Sequence, residues 1–175
     1  MQLLQTNKVA GRCYERGTQI TMLDGTTKRA DQVRIGEKLP CYGGKQLTIN
    51  NIYTGKEKEL IHIQTGNAQV KVSAGHIMLL ESGTGITIEK LRVGDKIMLA
   101  NQTLAEITSI EPIPYDDNVY NFSFDGEETG NYLIANGFYS GDFYAQNVLH
   151  KNLLSLTSEQ ERLYLELREI ASQKK

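Results

Sequence analysis

Gly17-Thr18-Gln19-Ile20-Thr21-Met22-Leu23-Asp24-Gly25 decides the fold class. Ile20 and Met22 alternate with polar residues, the period of a half-buried strand. Asp24-Gly25 follows, a dipeptide that favours a two-residue hairpin turn because both central residues there take positive φ. Just upstream stands Gly11-Arg12-Cys13, which sets a thiol at the mouth of the expected hairpin. The same texture continues to about Phe143. Thr, Ile, Val and Tyr alternate with polar residues, and Gly or Asn/Asp pairs punctuate them. Strands are expected over 18–22, 39–42, 47–54, 58–65, 70–72, 77–80, 86–88, 96–100, 104–112, 119–124, 132–135 and 137–140. No segment before residue 145 holds a helical period over three turns, so the body reads as all-β.

The chain also repeats itself. Asp31-Gln32-Val33-Arg34-Ile35-Gly36-Glu37-Lys38-Leu39 matches Glu89-Lys90-Leu91-Arg92-Val93-Gly94-Asp95-Lys96-Ile97 position for position, and Ile49 and Ile52 match Ile107 and Ile110 at the same displacement. One residue of drift pairs Ile61 and Ile63 with Tyr120 and Phe122, and Val72-Ser73-Ala74-Gly75-His76 resembles Ile134-Ala135-Asn136-Gly137-Phe138. Two β units of roughly 60 residues imply a pseudo-twofold body. The tail differs. Thr157 and Gln160 can form a capping box, and Leu163, Leu167 and Ile170 fall on one helical face. An amphipathic helix over 157–171 needs a surface to cover, either its own domain or a protein partner.

The 175 residues suffice for one domain with a real core plus an appendage. A net charge of −2 gives no reason to expect nucleic acid or an anionic membrane as partner. No apolar run is long enough for a signal-peptide core or a membrane span, so a soluble, cytoplasmic chain is expected. The two cysteines, Cys13 and Cys41, form no cluster with histidine at metal-ligand spacing, and neither a metal nor a cofactor is expected. Asp116-Asp117 and Asp125 with Glu127-Glu128 read as solvated turns rather than a calcium site. His62, between Ile61 and Ile63, reads as a solvent-facing strand residue.

The chemistry gathers at Cys13. A cysteine can add to the carbonyl carbon before it through a five-membered ring, converting that amide to a thioester. This N-to-S acyl shift is uphill in ordinary peptides. It needs a thiolate near the carbonyl, donors for the oxyanion and a group to protonate the departing nitrogen. Histidine suits the last task. Of His62, His76 and His150, His76 ends a strand-like run and has Ser73 three residues before it, whose hydroxyl is a further polar group at the same turn.

The Cys13 block, Ser73-Ala74-Gly75-His76, the repeat, and Val119-Tyr120-Asn121-Phe122 with Asn131-Tyr132-Leu133-Ile134-Ala135-Asn136-Gly137-Phe138 together resemble the Hint family over roughly residues 11–143. That family holds the self-splicing domains of inteins, the autoprocessing domain of hedgehog proteins and bacterial intein-like domains. The resemblance implies a pseudo-twofold β horseshoe of many short strands, to which the helical tail read above is appended. It divides the chain into an N-terminal flank (1–12), the Hint domain (13–143) and a linker with its helix (144–175). It implies Cys13 as nucleophile on the Arg12–Cys13 bond and His76 as the residue that assists that amide. Ser73 stands where threonine is usual, Asn121 where many members have aspartate, and Gly130 where many inteins have histidine. Gly141-Asp142 replaces the penultimate histidine and the cyclising asparagine, and Phe143 carries no nucleophile. The expected outcome is autocleavage at Arg12–Cys13 without splicing, with the chain's own N-terminal flank as substrate and water or a small thiol or amine as acceptor. The alternative is a silent Hint scaffold or interaction module within a larger phage or bacterial protein.

Overall fold

The computed structural model describes residues 12–126 and 130–145. The expected tail helix, His150, Glu127, Glu128 and all of the N-terminal flank except Arg12 lie outside the described residues.

Thirteen antiparallel strands build the described body: β1 (Tyr14–Glu15), β2 (Gln19–Thr21), β3 (Thr27–Arg29), β4 (Lys38–Cys41), β5 (Lys45–Gln64), β6 (Gln69–Val72), β7 (Ile77–Leu79), β8 (Gly85–Thr87), β9 (Lys96–Met98), β10 (Leu104–Glu106), β11 (Ser109–Phe124), β12 (Tyr132–Ala135) and β13 (Phe138–Gly141). One sheet runs β11-β1-β6-β5-β4, and a second runs β3-β2-β12-β13-β7-β8. Among the described residues no helix is long and apolar enough to cross a membrane.

The two long strands depart from the sequence expectation. The strands expected at 47–54 and 58–65 are one strand of 20 residues, β5. Those expected at 104–112 and 119–124 become the short β10 and the 16-residue β11. The expected gaps at 55–57 and 113–118 are bridged by pairing: β11 follows β5 from Ser109 opposite Gln64 to Phe124 opposite Ile49, with Gly55 and Pro114 inside the ladder. The ladder absorbs the irregularity in a register shift between Pro114 and Asp117, where Asp116 takes φ 120°. Asp117 is no free solvated turn residue; it pairs with Arg16 at 3.0 Å.

The hairpin at Asp24-Gly25 also differs in kind. β2 and β3 pair, yet of the two turn residues only Gly25 has positive φ, at 87°. Gly25 N–H donates to Met22 O (3.0 Å), and Met22 N–H to Thr26 O (2.8 Å). That is the three-residue loop closed by a left-handed glycine. Asp24 contributes through its side chain, whose Oδ1 accepts from Thr26 N–H at 3.0 Å.

The repeat is written in backbone bonds. Gly36 N–H donates to Ile49 O as Gly94 N–H donates to Ile107 O (2.9 and 2.8 Å). Ala30 N–H meets Thr18 O as Ile88 N–H meets His76 O, both at 2.8 Å. The correspondence reaches further back than the sequence match, to Thr18 and His76 themselves. The main core joins Tyr14, Ile20, Leu39, Ile49, Ile63, Val72, Met78, Phe122, Leu133 and Phe138 from both units, each buried side chain contributing about 1.5–3 kcal/mol. A second cluster holds Cys13, Tyr53, Leu60 and Val119, with Ile113, Tyr115 and Phe143 against it.

Gly36 and Gly94 have φ of 93° and 95°, with nothing near the place a Cβ would occupy. Strain alone therefore sets the cost of a side chain there. Gly36→Ala and Gly94→Ala should each lower the unfolding free energy by about 1–3 kcal/mol, and by matching amounts in urea titrations. A difference between them larger than the loss itself would contradict the equivalence of the two turns.

Candidate active site

β1 has only two residues and cannot stand alone. It is held between two strands, Tyr14 opposite Tyr120 on β11 and opposite Val72 on β6. This fixes the peptide bond just before it. Ser73 N–H donates to Cys13 O (2.9 Å), and Cys13 N–H donates to Ser73 Oγ (3.0 Å). On the other side of the same peptide, Asn121 Nδ2 donates to the carbonyl oxygen of Arg12 at 2.8 Å. The His76 ring hydrogen-bonds that carbonyl as well. Asn121 is itself oriented, because its Oδ1 accepts Phe122 N–H at 2.7 Å. The Arg12–Cys13 peptide is thus gripped at its oxygen by two side chains and at its nitrogen by a third.

The sequence motif explains the placement of His76. Ser73-Ala74-Gly75-His76 turns between β6 and β7, with His76 N–H donating to Ser73 O at 3.1 Å. The imidazole packs edge-on to the Tyr14 ring, centroids 4.3 Å apart. Cys13, Ser73, His76 and Asn121 are all fully buried. Burial pushes the Cys13 thiol up to about 12, and the Glu57 carboxylate pushes in the same direction. Burial pushes the His76 imidazole down to about 3. At neutral pH the site therefore holds a thiol and a neutral imidazole. Such an imidazole donates a hydrogen bond to an oxygen; it carries no proton to give to a departing nitrogen. The expectation put His76 beside that nitrogen, and the geometry sets it against the carbonyl oxygen, with Ser73 at the nitrogen.

Arg12, Cys13, Ser73, His76 and Asn121 come together. Asp142 stands across Tyr14, whose hydroxyl meets Ser140 Oγ at 2.5 Å and Gly141 O at 3.3 Å. Asp142 is buried; its Oδ1 accepts Ala145 N–H at 2.8 Å and its N–H donates to Asn131 O at 2.9 Å. Phe143 stacks on Tyr53 at 3.8 Å, in the cluster that contains Cys13. Gly130 has φ +93°, and a Cβ there would lie 2.6 Å from Ala145 Cα. No histidine fits at that position without moving the backbone.

Sequence reading missed Glu57. Ser73 Oγ donates to Glu57 Oε1 at 3.2 Å. Glu57 lies in the stretch taken as a gap between two strands. Had the strand been continued, its alternation would have put Glu57 on the face of Tyr53, toward Cys13. Both cysteines are buried thiols. Among the described residues, no three His, Cys, Asp or Glu side chains converge as metal ligands would.

Solved structures similar to this chain are inteins and intein-like domains. A bacterial intein-like domain from Clostridium thermocellum matches with TM-score 0.64 at 18% identity, over 75% of this chain and 98% of that one. A DnaB intein from Synechocystis sp. PCC 6803 matches with TM-score 0.65 at 13% identity, over 74% and 97%. The gp41-1 intein matches with TM-score 0.62 at 18% identity, over 73% and 96%. No protein-family model and no curated protein matches the sequence. The chain has the all-β Hint fold of inteins.

Burial raises the Asp142 carboxyl to about 6, against the hydrogen bonds from Ala145 and Asn131 that pull it down. Its folded pKa thus exceeds the unfolded value of about 3.9. The stability this group contributes is present below about pH 4 and is lost as pH rises through about 6, a swing of about 2–3 kcal/mol. His76 has the opposite slope, so wild type alone does not isolate Asp142. The gain in unfolding free energy from Asp142→Asn should grow by that amount between pH 4 and 7 in urea titrations. A gain that stays flat with pH would remove the buried carboxylate as its cause.

Proposed function

We propose that this chain is a self-processing domain in which Cys13 takes over the acyl group of Arg12 by an N-to-S shift, releasing the N-terminal flank without splicing. One observation carries the reading: the Arg12–Cys13 peptide is held at its oxygen by Asn121 and His76 and at its nitrogen by Ser73. An ordinary buried peptide in a sheet spends these groups on backbone partners. Here side chains take them, in the places where a tetrahedral intermediate develops negative charge and where a leaving amine needs a proton. The likeness to intein structures supports the same reading.

The reaction proceeds as follows. The Cys13 sulfur bonds to the Arg12 carbonyl carbon as its proton departs. The oxygen becomes an oxyanion, stabilised by Asn121 Nδ2–H and the His76 ring, donors already in place and shielded from water. The C–N bond then breaks and the nitrogen takes a proton, leaving a thioester. Water or a small thiol or amine opens it. The second half of splicing lacks its parts. Gly141 offers no imidazole, Asp142 has no amide nitrogen with which to cyclise, and Phe143 has no hydroxyl or thiol to receive the acyl group. Asp142 Oδ1 is also engaged with Ala145 N–H.

A silent scaffold is the competing reading, favoured by the full burial of Cys13 and its raised thiol pKa. The two separate on one experiment. A protein with a tag ahead of Met1, incubated with dithiothreitol or hydroxylamine, should lose the tag with residues 1–12 by mass spectrometry, and Cys13→Ala should not. No thiol-dependent release, with Cys13→Ala indistinguishable from wild type, selects the scaffold. The same spectra should contain no fragment beginning at Phe143.

Asn121→Ala removes one oxyanion donor and should slow release about 100-fold or more. A rate within twofold of wild type would show that the 2.8 Å contact to Arg12 O does not act in the rate-limiting step.

A further inference from the structure

The acyl shift has to move one proton from the sulfur of Cys13 to its nitrogen, and the histidine expected from sequence to carry it faces the Arg12 carbonyl oxygen instead. We propose that Glu57 and Ser73 form the relay for that proton, Glu57 receiving it from the thiol and Ser73 delivering it to the departing nitrogen. The inference deepens the autoprocessing reading and rests on it.

The geometry centres on Ser73 Oγ. It accepts Cys13 N–H at 3.0 Å and lies within donor reach of Glu57 Oε1 (3.2 Å) and Cys13 O (3.3 Å). A hydroxyl has one proton, and an ionised carboxylate is the stronger acceptor of the two. The ground state therefore runs from the Cys13 N–H to the Ser73 oxygen, and from the Ser73 O–H to the carboxylate. Through Ser73, Glu57 stands two hydrogen bonds from the nitrogen of the residue that carries the thiol, and its charge acts on that thiol. A carboxylate and a thiolate side by side repel each other. The pair is relieved when the carboxylate holds the proton that the sulfur gives up.

The steps balance. The thiol S–H breaks and its proton goes to Glu57 as sulfur bonds to the Arg12 carbonyl carbon. The oxyanion collapses, the C–N bond breaks, and the nitrogen's new electron pair takes the Ser73 hydroxyl proton. Ser73 Oγ takes its replacement from the Glu57 carboxylic acid. The thiol proton has become an amine proton, and Ser73 and Glu57 end as they began.

Glu57→Gln tests this, because glutamine keeps the shape and its amide oxygen still accepts the Ser73 hydrogen bond. It cannot carry a proton. The variant should keep the wild-type urea midpoint and release the N-terminal tag about 100-fold more slowly in hydroxylamine. Glu57→Asp should regain part of the rate, and added formate should accelerate Glu57→Ala relative to chloride at equal ionic strength. Glu59→Gln, on the exposed neighbour, should match wild type. If wild type releases its tag and Glu57→Gln keeps pace, the relay falls and autoprocessing stands. If all Glu57 variants are equally slow and formate does nothing, Glu57 is a packing residue and the relay falls. If wild type releases no tag at all, autoprocessing falls and takes the relay with it.

Discussion

Two residues of β1, threaded between β6 and β11, hold the Arg12–Cys13 peptide in a cage of side-chain hydrogen bonds. A two-residue strand has no stability of its own. It borrows its position from the long ribbon of β5 and β11 on one side and from the turn after β6 on the other. Loosening either would leave the backbone where it is favoured in water, with its oxygen and nitrogen solvated and no donor aimed at a developing charge. The extent of β5 and β11 therefore has a use beyond packing: it gives β1 a rigid wall on which Asn121 can present its amide.

The same burial that sets the geometry also sets the electrostatics. A thiol raised to about 12 and an imidazole lowered to about 3 are what desolvation does to two groups whose charged forms lie on opposite sides of neutrality. No thiolate–imidazolium pair waits in the resting site. For the proposed acyl shift this means that bond making is coupled to proton movement and that the fixed dipoles of Asn121 and the His76 ring do the stabilising as charge appears.

How much of this was legible follows from which constraints act locally. The repeat was legible because both units make the same backbone bonds, so both need glycine at positions 36 and 94 and apolar residues at the same steps. Cys13 and His76 were legible because few residue types do their chemistry. Asn121 was found only as a departure from an aspartate pattern, and its sense changed in the structure: an amide donates to the Arg12 carbonyl where an ionised carboxylate could only accept. Glu57 was hidden because Gly55, the charged run after it and Pro114 imitate loop signals. The pairing of β5 with β11 overrides them, and long-range pairing leaves no mark on local composition. The turn at Asp24-Gly25 shows the smaller version of this: the dipeptide announces a hairpin, and the closing bonds decide which one.

The duplication suggests how a site arises on such a frame. Thr18 and His76 occupy equivalent corners, each fully buried and each donating its N–H three residues back, to Glu15 O at 3.0 Å and to Ser73 O at 3.1 Å. The backbone at the two corners is the same; the side chains are not. Ser73 stands where the first unit has Glu15, His76 where it has Thr18, and Asn121 where the drifted register puts His62. At these three positions the residues aligned with each other differ, and Ser73, His76 and Asn121 are the ones that touch the Arg12–Cys13 peptide. The shared pattern builds the scaffold, and the side chains that differ between the two corners hold a peptide bond at one of them, while the other remains part of the core.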